Sequence, residues 1–179
     1  MENPTLASLI LVSFAVAAVA ADKPLVLSPE AKKAHDSAHP GFQTWTNENY
    51  TKEVRSFSKE AEAAPSIQTG DINSDGKADF LLDGHDDKSH MLVAILSKGS
   101  AFTAVDIVNQ PIDECYSLLT EMKNGKRIII YYLSLGPASD EKGAPMEVSV
   151  DVPQRDGADG AMTTYQYLDG KFVEKSQVL

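Results

Sequence analysis

The chain has 179 residues, 42% hydrophobic and 23% charged, a globular composition that fits one domain with a core of its own. Its formal net charge of −10, with no basic cluster, argues against nucleic acid or an anionic membrane as partner. The single cysteine, Cys115, excludes an internal disulfide, so the fold rests on its core, with a bound ion as the other support open to it.

In chain order, residues 6–19 form an apolar run without charge, and Ala18-Val19-Ala20 at its end supplies small residues at the positions a signal peptidase reads. Residues 1–20 are therefore expected to be an export signal, cleaved before Ala21. A buried N-terminal helix or a retained anchor is the alternative. The segment before the run carries Glu2 and no Lys or Arg, a departure from the usual basic start. Removing Glu2 takes the charge from −10 to −9. The run is too short for an ordinary span, and nothing after it is long and apolar enough to cross a bilayer.

Residues 21–66 are expected to be an N-terminal helical segment packed on a sheet. Ser28-Pro29-Glu30 combines a capping hydroxyl, a proline in the first turn and an acid near the positive end of the dipole. That predicts a helix from there to Ala38, ended by Pro40-Gly41, with Ala31, Ala34 and Ala38 as a weakly apolar face. A second helix is predicted over 49–64, where Val54, Phe57 and Ala61 recur at helical spacing and Pro65 closes the run. Residues 50–58 also alternate loosely, so a strand is the competing reading there.

From residue 67 onward the period changes to that of strands, and residues 67–179 are assigned to one antiparallel β domain. Strands are predicted at 67–69, 78–82, 90–96, 101–108, 116–122, 127–133, 146–152, 163–168 and 172–176. Residues 90–96 and 128–133 are apolar on both faces, as in central strands. Asn124-Gly125 and Asp169-Gly170 between apolar runs are hairpin turns. The fold class is α+β, mostly β: an antiparallel meander of about eight strands with one or two N-terminal helices. A small β-sandwich or a partial propeller-like sheet is the alternative. Residues 136–145 and 153–161, rich in Gly, Pro, Asp and Ser, are expected to be exposed loops that could form a binding rim.

The stretch Asp71-Ile72-Asn73-Ser74-Asp75-Gly76-Lys77-Ala78-Asp79 carries the clearest chemistry. Oxygen-bearing side chains stand at every second position, then a glycine, then another aspartate, the pattern of a short loop wrapped round a hard cation such as calcium. Crowded carboxylates repel, and a divalent ion reverses the sign of that interaction. Counting from Asp71, positions one, three, five and nine are Asp71, Asn73, Asp75 and Asp79, Gly76 permits the turn, and Lys77 offers its carbonyl. Position twelve is Leu82, where an EF-hand needs a glutamate, and residues 78–82 read as a strand. The metal-free alternative is an Asx-rich turn between strands.

The wider segment from Gly70 to Leu82 resembles the FG-GAP and VCBS type of repeat, whose D-x-N-x-D-G-x-x-D loop precedes an apolar strand, and the resemblance covers about forty residues. It implies a calcium loop with Asp71, Asn73, Asp75 and Asp79 as side-chain ligands and the carbonyl of Lys77 as another. The motif occurs once, so the propeller of long arrays does not carry over.

His35, His39, His85 and His90 are the other possible ligands, with His85 and His90 able to face each other across a turn. No tight His or Cys spacing supports a transition-metal site, and a solvated polar turn at Gly84-His85-Asp86-Asp87 is the simpler reading. Asp113 and Glu114 before Cys115 disfavour a thiolate nucleophile. There is no nucleophile elbow, zincin helix or phosphate-binding glycine loop, so no catalytic constellation is recognised. The expectation is an exported, periplasmic or secreted, calcium-binding interaction module. Calcium would be mainly structural and the partner another protein or a surface glycan. A periplasmic inhibitor or immunity protein against a secreted hydrolase is the alternative.

Overall fold

The computed structural model describes residues 26–60, 65–112, 120–139, 141, 143–154 and 160–178. The expected export signal, Ala61, Cys115 and the first part of the strand predicted at 116–122 lie outside the described residues. Two helices precede a run of strands, all paired antiparallel, so the molecule is α+β and mostly β.

Helix α1 (Pro29–Ala38) begins as its cap predicts, with the Ser28 hydroxyl accepting from the Ala31 N–H at 3.2 Å. A two-residue strand, β1 (Gln43–Thr44), and a 3₁₀ turn (Asn47–Asn49) lead to α2 (Lys52–Glu60). The helical reading of this stretch therefore holds over the strand alternative. Thr51 Oγ1 accepts from the Val54 N–H at its start, and Val54 and Ser58 turn inward. Phe57 stays partly exposed, with its ring edge on Tyr132 at 5.0 Å between centroids.

The first sheet has the order β1, β3 (Asp79–His85), β4 (Ser89–Lys98), β5 (Ala101–Pro111), with β2 (Ile67–Gly70) also pairing β3. The second runs β11 (Lys171–Val178), β10 (Ala161–Leu168), β9 (Met146–Val152), β8 (Tyr132–Pro137). Strands β6 (Thr120–Lys123) and β7 (Lys126–Ile129) form a separate hairpin. Asn124 and Gly125, and Asp169 and Gly170, all have positive φ, the primed turns that match strand twist.

The continuous strand predicted at 127–133 is broken in two. Lys126–Ile129 pairs with β6, while Tyr132–Pro137 joins β9 in the second sheet. Ile130 and Tyr131 form the break, and the Tyr131 ring is fully buried. A uniformly apolar run cannot show which partner each half takes, because pairing is set by the neighbours and not by the run itself.

Strands β3 and β4 are buried on both faces, as 90–96 predicted. Leu81, Leu92, Ala94 and Leu96 point to the central core, shared with Leu133, Val148 and Val150 of the second sheet and with Trp45, Tyr50 and Val54. Phe80, Leu82, Met91, Val93 and Ile95 point the other way, under α1. Helix α1, first sheet and second sheet are thus stacked layers. The inward stripe of α1 is Ala31, Ala34 and His35, while Ala38 faces out.

A candidate metal centre on the β2–β3 connection

The acidic motif is the loop between β2 and β3, so it lies at one end of the most buried strand pair in the molecule. Ser74 (φ 60°) and Gly76 (φ 80°) both take the left-handed backbone that a sharp wrap requires. Oδ1 of Asp71 and Oδ1 of Asn73 both accept from the Asp75 N–H, at 2.9 and 3.0 Å. Asp71 Oδ2 accepts from the Gly76 N–H at 2.9 Å, and Asp75 Oδ1 from the Lys77 N–H at 3.0 Å. Three acceptor side chains are therefore folded over the loop's own amides.

Asp79 occupies a different place. It is fully buried, and its carboxylate lies beneath the loop. Oδ2 accepts from the N–H groups of Ile72 (2.8 Å) and Asn73 (3.1 Å), and Oδ1 from the N–H of Ser97 (2.6 Å). One side chain thus joins both ends of the loop to β4. Ser97 is the loop's other anchor, and sequence reasoning missed it. Its hydroxyl donates to both oxygens of Asp75 (2.9 and 2.8 Å), and its carbonyl accepts from Asn73 Nδ2 at 2.7 Å. A serine at the end of an apolar strand carries no signal of this in the sequence. Lys77 reaches across with its ammonium to the Gly99 carbonyl of the next turn.

The donor set suits a hard cation in kind: Asp71, Asn73 and Asp75 offer oxygens on one loop, and each of these oxygens keeps acceptor capacity beyond its amide bonds. In position the fit is partial. Among the described residues no three His, Cys, Asp or Glu side chains converge as a ligand cluster, and Asp79 is turned away beneath the loop.

A second polar cluster lies at the other end of β3. Asp83 is fully buried, and its Oδ2 accepts from the hydroxyls of Tyr50 (3.0 Å) and Tyr131 (2.6 Å). Nε2 of His90 lies 3.1 Å from Asp83 Oδ1 and 3.0 Å from the Tyr131 hydroxyl. Burial first, and then the Asp83 charge, push both tyrosines well above the ordinary phenol range. His85 and His90 do pair across the β3–β4 turn, as predicted, but the Trp45 indole packs on both. The turn itself is closed by Asp86, whose Oδ1 accepts from the N–H groups of Lys88 and Ser89 at 2.7 and 2.6 Å. Those two bonds hold the Asp86 carboxyl below its usual range.

Comparison with protein-family models, with curated proteins and with solved structures finds no match.

Proposed function

We propose that the protein is a calcium-binding module that acts outside the cytoplasm by docking another protein or a surface glycan, with calcium serving to stiffen the β2–β3 loop. The observation that carries this reading is the convergence of Asp71 Oδ1 and Asn73 Oδ1 on one amide, with Asp75 next in line. A divalent ion would be held by Asp71, Asn73, Asp75 and the carbonyl of Lys77. Asp79, the fourth side-chain ligand expected from the sequence, instead braces the loop from below. When bound, the ion would supply positive charge where three carboxylates are crowded into nine residues. The loop's own residues do the rest: they fix its wrap and tie it to β4.

Outside the cytoplasm calcium can be abundant, so even a weak site would be filled. A ligand present at a hundred times its Kd stabilises the folded state by about 2.7 kcal/mol. Melting of the chelator-stripped protein with and without millimolar calcium tests this. A gain of several degrees is expected, and Asp75→Ala should lose it while still folding. Equal melting temperatures with and without calcium would overturn the reading.

A further inference from the structure

Strand β4 outruns its partner beside the acidic loop. The β3–β4 ladder ends at Phe80 and Ile95, short of Ser97. Side chains of the loop take up the bonds that the ladder leaves open there. The Ser97 N–H donates to Asp79 Oδ1 at 2.6 Å, and the Ser97 carbonyl accepts from Asn73 Nδ2 at 2.7 Å. Backbone polar groups of a buried residue need such partners, and here the motif itself supplies them.

The Ser97 hydroxyl adds a third tie. It lies 2.9 and 2.8 Å from the two oxygens of Asp75, in front of the carboxylate fork. Ser97 is buried on β4, whereas Asp75 is exposed. One residue outside the motif therefore holds Asn73, Asp75 and Asp79, while Asp71 is held by the amides of Asp75 and Gly76. An exposed aspartate with no such tie samples several rotamers, and gathering it at an ion costs entropy. The hydroxyl carries one proton, so it fixes the Asp75 carboxylate while leaving it its charge and its remaining lone pairs.

We propose that Ser97 is the positioning residue of the cation site, its hydroxyl holding Asp75 beside Asp71 and Asn73 in the arrangement that receives a divalent ion. The proposal rests on the calcium reading of the loop and adds to it a residue outside the motif that sets the affinity. Hydrogen-bond partners behind a ligating carboxylate contribute about 10–100-fold in metal affinity.

Two measurements on the full, chelator-stripped chain test it. In the first, calcium is titrated into the wild type and into Ser97→Ala, and the variant is expected to bind about tenfold more weakly or worse. In the second, the χ1 couplings of Asp75 are read before any calcium is added. They should report a single rotamer in the wild type and rotamer averaging in Ser97→Ala, a signature that a merely structural role for Ser97 would not produce. The wild-type couplings decide the matter if that variant does not fold. Averaged Asp75 couplings in the ion-free wild type, or equal or tighter calcium binding by folded Ser97→Ala, would overturn the proposal and leave the calcium reading standing. No calcium uptake by the wild type would overturn both.

Discussion

Asp79 works through three amide N–H groups at once. Two belong to the loop that begins at Asp71 and one to Ser97 on β4, and the carboxylate is closed off from water. Replacing it with Asn would put an amide NH₂ against at least one of those donors. Hydrogen bonds to a charged group contribute about 1.5–3 kcal/mol each, and a buried donor left facing another donor costs more. Asp79→Asn is therefore expected to lower stability in urea by on the order of 3 kcal/mol, with calcium present or absent. Asp75 is exposed, so Asp75→Ala should cost far less in calcium-free buffer. If both substitutions cost the same without calcium, Asp79 is not the brace described here. The spacing marked these side chains as loop oxygens, expected to hold a cation or, without one, to close an Asx-rich turn. The inward turn of Asp79 and the part played by Ser97 were not legible, since both depend on which strand lies beneath the loop.

At the scale of elements, β3 is the piece every other part is fitted to. It pairs with β1, β2 and β4, and its ends hold both polar clusters. Gly84 lets β1 approach: a Cβ there would overlap the Gln43 carbonyl oxygen and the Phe42 ring. The Gln43–His85 and Thr44–Gly84 pairings and the Trp45 N–H bond to the Asp83 carbonyl (3.2 Å) depend on that approach. Gly84→Ala should therefore displace β1 and cost about 1–3 kcal/mol. Amide exchange at Trp45 should quicken while β4 stays protected; unchanged Trp45 exchange would contradict the packing argument. The alternating strands, the two primed hairpins and the α1 cap were all readable, because each is set by local chemistry. The break at Ile130–Tyr131 was not, because the partners that hold Tyr131 inward, Asp83 and His90, are distant in sequence.

For the whole molecule, the first sheet, the break between β7 and β8 and the segment before α2 meet at Asp83, where Tyr50, Tyr131 and His90 converge. Both tyrosines have folded-state pKa values well above 10, against about 10 for an unfolded phenol. A raised pKa means that the unfolded chain releases these protons first. The stability they contribute is complete below pH 10 and is lost as pH rises beyond it. Absorbance at 295 nm should show Tyr50 and Tyr131 ionising only in the unfolding step; smooth titration of all six tyrosines near pH 10 with native circular dichroism retained would contradict this. The α+β, mostly antiparallel character could be anticipated from strands after helices, with a sandwich only as the alternative to one meander, but the joint at Asp83 could not, because its members are spread from residue 50 to residue 131.

The central claim is that the β2–β3 loop takes up one divalent ion, and calorimetric titration of the chelator-stripped chain with calcium tests it most directly. One equivalent should bind with a Kd at or below the millimolar range, with uptake abolished by Asp71→Asn combined with Asp75→Asn. No heat and no uptake at millimolar calcium, in a protein whose circular dichroism is native, would contradict the account.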